Sequence, residues 1–146
     1  MRFGLKVLVV DDMTSSRLML ARMLTRLGIH AVETAQCGDE ALHCLGNSHI
    51  DLVISDYHMP GMDGLGLLRQ MRATHGMART EFILTTGQCG ADIADECASL
   101  TVRAVLFKPL RMDHLMNALV TVKQAVRSST DRGIGQNSAT AGRVEL

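Results

Sequence analysis

Five polar residues stand at the ends of short apolar runs, where side chains can meet. Asp11 and Asp12 close KVLVV, Asp56 closes LVIS, Thr86 closes EFILT, and Lys108 follows AVLF. Such runs, rich in β-branched and apolar residues, read as buried parallel strands. In an open parallel sheet, ligands bind beyond the carboxyl ends of the strands, beside the point where strand order reverses. Three carboxylates brought to one cleft repel each other. A hard divalent cation that takes oxygen ligands and keeps waters is the simplest neutraliser, so Mg2+ is the expected cofactor. Lys108 brings a point charge suited to a phosphoryl oxygen, and the Thr86 hydroxyl can donate a hydrogen bond to another. A lone strand-end aspartate is most often a helix cap or turn former. Three of them, with a lysine and a threonine at matching ends, describe a site for a phosphoryl group.

The elements that must position these residues alternate along the chain. Strands are predicted at residues 6–12, 31–35, 52–56, 81–86 and 104–108, the second of them outer and partly polar. Helical periodicity fills the gaps. In residues 14–27, Leu20, Met23, Leu24 and Leu27 form one stripe and Arg17, Arg22 and Arg26 a solvated face, with Thr14 or Ser15 as N-cap and Gly28 past the last turn. A stripe of Leu115, Leu119, Val122 and Val126 predicts a last helix at residues 112–126. Shorter helices fit residues 39–45, 64–72 and 91–100. Strands joined by helices of this length are parallel with right-handed crossovers, which gives an α/β three-layer sandwich. Residues 127–146 contain scarcely an apolar residue and are expected to form a flexible tail.

Composition bounds the function. With 146 residues the chain holds one core, and its 47% hydrophobic content predicts that this core folds. Fifteen basic and fifteen acidic residues cancel, leaving no excess to neutralise nucleic-acid phosphates. No apolar run approaches a membrane span, and the N-terminal run meets two acids rather than a signal cleavage site, so a cytoplasmic protein is expected. The four cysteines include no C-x-x-C pair and read as reduced, partly buried thiols. The six histidines lack metal-ligand spacing. Most of the ten methionines are expected to fill the core in the first and third helices, and Phe107 is taken as core.

The motifs DD at 11–12, DYHMPGMDG at 56–64, TTG at 85–87 and KP at 108–109 make the chain resemble the receiver domain of two-component response regulators, of the CheY-like single-domain type. The separations are 44 residues from Asp12 to Asp56, then 30 to Thr86 and 22 to Lys108, and the resemblance spans about residues 5–126. It implies a flavodoxin-like (βα)5 fold with strand order 2-1-3-4-5. It also implies that Asp56 accepts a phosphoryl group from a sensor histidine kinase or a histidine phosphotransferase. Asp11, Asp12, Asp56 and the backbone carbonyl of His58 would hold the Mg2+. Lys108 would bind the phosphoryl oxygen, Thr86 would turn toward it, and the Lys108–Pro109 peptide bond would be cis. His58 and Gln88 would set how fast water removes the phosphoryl group, with Gly87 leaving access. An effector protein would meet the face of helix 4, strand 5 and helix 5, residues 91–126.

One position departs from the family pattern. Where receivers commonly carry Tyr or Phe, three residues before the lysine, this chain has Val105, which cannot swing as a ring does. The domain division expected is a receiver at 1–126 and a tail at 127–146, with no room in the tail for a DNA-binding output. The leading expectation is a phosphorylation-switched binding module, not an enzyme of metabolism. The alternative is a phosphorelay intermediate or phosphate sink without its own effector. A small α/β enzyme or flavin protein is disfavoured, because the chain has neither a Gly-rich nucleotide loop nor a P-loop.

Overall fold

A computed structural model describes residues 3–87 and 90–142, with the backbone alone for Ala91 and residues 130–142. Strand and helix alternate as β1 (Lys6–Val10), α1 (Thr14–Arg26), β2 (Ala31–Ala35), α2 (Gly38–Asn47), β3 (Leu52–Asp56), α3 (Gly64–Arg72), β4 (Glu81–Thr86), α4 (Ala91–Ser99), β5 (Ala104–Phe107) and α5 (Met112–Gly142). The five strands form one parallel sheet in the order β2-β1-β3-β4-β5. The predicted flavodoxin-like three-layer sandwich is therefore the observed one.

Strand alternation builds two cores, because successive side chains leave the sheet on opposite faces. Leu8, Val10, Val53, Phe82 and Leu84 pack with Ala41, Leu45, Leu68, Met71 and Cys97 of α2, α3 and α4. Val7, Val9, Leu52, Ile54 and Ile83 pack with Leu20, Leu24, Leu115, Leu119 and Val122 of α1 and α5. Burying each of the Val, Leu, Ile, Phe and Met side chains among these is worth about 1.5–3 kcal/mol, which makes the sheet a rigid frame for whatever its carboxyl ends carry.

Several local expectations are corrected. Strand β1 ends at Val10 and β5 at Phe107, so Asp11, Asp12 and Lys108 lie just past the ladder instead of inside it. The N-cap of α1 is Met13, and no side chain caps that end; Asp11 Oδ1 instead accepts the Met13 N–H at 2.9 Å. Phe107 is not core. It ends an edge strand and is 48% exposed. Leu20 and Leu24 of α1 are buried and Met23 and Leu27 pack half-buried against the same core, whereas Met19 is 62% exposed, so of these two methionines only Met23 helps to fill the core, as Met71 does in α3. Helix α5 passes the expected end at Val126 and runs to Gly142. Residues 127–142 contain no proline to stop propagation, although residues 127–129 are exposed and add nothing to the core. Among the described residues Cys37, Cys44 and Cys97 are free, the first two half-buried and the third buried; Cys89 lies outside the described residues.

Gly64 shows how tightly the β3–α3 connection is packed. A Cβ there would lie 2.4 Å from the Asp56 carbonyl oxygen, 3.0 Å from Leu84 Cδ1 and 3.1 Å from the Tyr57 Cα. The Gly64 N–H also donates to the Tyr57 carbonyl at 2.9 Å, so the helix cannot slide aside without losing that bond. Gly64→Ala is expected to destabilise the fold by about 1–3 kcal/mol, the usual range for overpacking. Denaturant unfolding of the two proteins measures this, and equal midpoints would show that the contact yields freely.

Candidate functional site

Parallel register brings the sequence-predicted residues together. Val10 pairs with Ser55 across β1 and β3, which puts Asp11 and Asp12 beside Asp56. One oxygen from each of Asp11, Asp12 and Asp56 lies within 4.8 Å of the others. Asp11 and Asp56 are buried and Asp12 is exposed. Lys108 Nζ reaches over this trio, 3.3 Å from Asp56 Oδ2 and 3.4 Å from Asp11 Oδ2. Its backbone is fixed to the neighbouring strand end, because the Lys108 N–H donates to the Thr86 carbonyl at 2.9 Å.

The electrostatics follow from this crowding. Burial pushes the Asp56 carboxyl above the ordinary aspartate value; the Lys108 ammonium pulls the other way, and the charge of Asp11 adds to the rise. One ammonium thus serves two buried carboxylates and leaves the trio short of positive charge. Three oxygen donors within one ion's reach, with the exposed Asp12 leaving positions for water, fit a hard cation such as Mg2+.

The remaining predicted residues surround this centre. Thr86 is buried at the end of β4, paired in register with Phe107. Gly87 is exposed, and a Cβ there would meet nothing within 4 Å, which suits an approach route. His58 is exposed on the loop after β3, its ring edge-on to Tyr57 with centroids 4.7 Å apart. Val105 is half-buried against the core shared with α4, together with Ile93, Leu100 and Val102. The Lys108–Pro109 bond is cis. Gln88 lies outside the described residues.

Sequence reasoning missed Arg17. Expected on a solvated face, it donates from Nη1 to the Asp11 carbonyl at 2.7 Å and from Nη2 to Thr14 Oγ1 at 3.3 Å, holding the loop that carries the acids. Its place in the first turn of a helix that begins two residues after Asp12 was the available signal. Cavity size gives no guide here: clefts of ≈500 and ≈510 Å3 lie beside α3 and at the opposite end of the sheet, and none of the five residues lines either.

The description "response regulator receiver domain" belongs to the family whose profile matches residues 7–120. A probable chemotaxis protein CheY from Rhizobium etli is 34% identical over 123 residues, which cover 84% of this chain and 95% of that one. The sensor histidine kinase RcsC of Escherichia coli contains a segment 35% identical over 125 residues, 86% of this chain but 13% of the kinase. The solved structure of chemotaxis protein CheY4 from Vibrio cholerae superposes with a TM-score of 0.75 at 31% identity, covering 81% of this chain and 98% of that one. The chain belongs to the response regulator receiver family. Among the described residues no helix is long and apolar enough to cross a membrane.

Because the Asp56 carboxyl sits above its ordinary value of 3.8, the folded protein binds a proton where the unfolded chain does not. The stabilising effect of protonation is full below 3.8 and is lost as pH rises through the raised folded value, so the ionised group costs stability at neutral pH. Asp56→Asn is therefore expected to melt above wild type at pH 7, with the gap closing as pH falls toward 4. Calorimetric scans across that range test it. An Asn variant that melts below wild type at pH 7 contradicts the charge account.

Proposed function

We propose that this receiver is a phosphorylation switch in which Asp56 is the acceptor. The observation that carries the proposal is a buried carboxylate set 3.3 Å from Lys108 Nζ, with two further aspartates within one ion's reach. An Asp56 carboxylate oxygen attacks the phosphorus of a phosphohistidine on a sensor histidine kinase or histidine phosphotransferase. The P–N bond breaks as the new P–O bond forms, and the imidazole leaves with the electron pair of the broken bond. Asp11, Asp12, Asp56 and the His58 carbonyl would hold Mg2+, which supplies charge neutralisation at the phosphoryl oxygens when bound. Lys108 orients one phosphoryl oxygen, and Thr86 turns its hydroxyl to another. His58 and Gln88 are assigned the control of acyl-phosphate hydrolysis, which makes the protein a self-catalysed switch and not a metabolic enzyme.

Phosphorylation replaces a carboxylate with a group carrying roughly −1.5 to −2 charge and three strong acceptors, so Lys108 and Thr86 gain a better partner and the β4–α4 connection follows. Of two pre-existing conformations, the one that makes these contacts is favoured. The output is a protein contact on the face of α4, β5 and α5, and the exposed ring of Phe107 at the end of β5 supports that assignment. We assign residues 1–126 to the receiver and 127–146 to an appendage that follows it. The names of the chemotaxis relatives favour a chemotaxis-like role. The half-buried aliphatic Val105 favours a second reading, a phosphorelay intermediate or phosphate sink. In that case phosphoryl transfer proceeds without a coupled change on the α4–β5–α5 face.

Incubation with Mg2+ and acetyl phosphate, followed by intact-mass analysis, is expected to add one phosphoryl group to wild type and none to Asp56→Asn. Lys108→Ala is expected to label about tenfold more slowly or worse, the scale of losing one charge-stabilising group. An unlabelled wild type, or equal labelling of Asp56→Asn, removes the proposal.

A further inference from the structure

Helix α4 is fastened at one end. Its C-terminal end closes in a Schellman turn, with the Val102 N–H donating to the Cys97 carbonyl at 3.0 Å and the Thr101 N–H to Ala98 at 3.3 Å. The residue in the left-handed position, at φ 57°, is Thr101, a β-branched residue where glycine is usual. Such strain persists only where the surroundings hold it. Arg72, the last residue of α3, does the holding. Its Nε donates to the Leu100 carbonyl at 3.0 Å and its Nη2 to Thr101 at 3.5 Å, while Nη1 donates to Ala78 at 3.1 Å and Thr80 at 2.7 Å. One guanidinium thus ties together the ends of α3 and α4 and the approach to β4. Arg69 adds an ion pair to Glu96 one turn back, and Cys97 is buried beneath.

The other half of α4 has no such mooring. Gly90 at its N-cap offers no side chain, Asp92, Ala94 and Asp95 are exposed, and the half-buried Ile93 packs against the core without a polar tie. Among the described residues, Asp92 and Asp95 make no side-chain hydrogen bond or ion pair. In sequence, this half begins four residues after Thr86, the last residue of β4.

We propose that Arg72 is a positioning residue that fixes the Leu100–Thr101 end of α4 as a pivot. Movement of Thr86 then swings residues 90–95 while residues 97–102 stay in place. The inference rests on the reading of Asp56 given above. A helix of nine residues is a lever of about 13 Å, so a small shift at β4 becomes a displacement of Asp92 and Asp95 on the surface. Val105, small and half-buried beneath α4, leaves the helix itself to carry the response.

Hydrogen exchange on the full chain, with Mg2+ alone and with Mg2+ plus beryllofluoride as a phosphoryl mimic, tests the pivot. Wild type is expected to change protection at residues 90–95 and not at 97–102. Arg72→Met is expected to exchange roughly tenfold faster or more at 97–102, as loss of charge-assisted hydrogen bonds implies, and to spread the response along the whole helix. Thr101→Gly relieves the strain and keeps the mooring, so it should retain the wild-type pattern; with wild type it decides the matter should Arg72→Met not fold. A uniform response over 90–102 in wild type, or an unchanged pattern in a folded Arg72→Met, overturns the pivot. Fluorine NMR of bound beryllofluoride separates the two claims. Absence of a bound signal removes the reading of Asp56 and the pivot with it, whereas a bound signal with uniform exchange removes the pivot alone.

Discussion

Three carboxylates gathered around a single ammonium set the terms for this protein. Asp11 and Asp56 are buried and share Lys108, with Asp12 beside them at the surface. Burial disfavours the charged form of a carboxylate and a like-charged neighbour adds to the cost, so the pocket is at its least stable when it is empty and ionised. The rest of the domain compensates for that cost. Parallel strands whose buried residues are mostly apolar hold the carboxyl ends in register, and the two cores on either face prevent the acids from moving apart.

The same frame explains how a change at one carboxylate can reach the surface. Lys108 is tied through its backbone to Thr86, and Thr86 lies in register with Phe107 at the edge of the sheet. Next along the chain, after residue 87, comes the region leading into α4, a helix in which Cys97 is the one buried side chain among the described residues. Low-stability elements are the ones that respond when a site changes, because little packing must be broken to move them. Arg72 limits how much of that helix can respond.

Much of this was legible in the residues themselves. The predicted bounds of 31–35, 52–56, 81–86 and 64–72 coincide with β2, β3, β4 and α3, because an apolar run stopped by an acid or a turn residue leaves little freedom of register. The five site residues were legible for a related reason: a polar side chain at the end of a buried strand has few places to point. What was not legible depends on long-range packing. Phe107 has the composition of a core residue, yet it ends an edge strand and escapes cover. Arg17 and Arg72 look like ordinary helix-surface arginines, and only the folded chain shows that carbonyls receive them. The run of α5 past Val126 carried no apolar stripe and so no periodic signal.

Whether these carboxylates form one charge-deficient centre is read out most directly by calorimetric titration with Mg2+ at fixed ionic strength. Wild type is expected to bind one Mg2+ saturably, with affinity weakened about tenfold or more when either Asp12→Asn or Asp56→Asn removes a charge, since each oxygen ligand contributes to holding a hard cation. Absence of saturable binding, or affinity unchanged in both variants, would contradict a single charge-deficient centre.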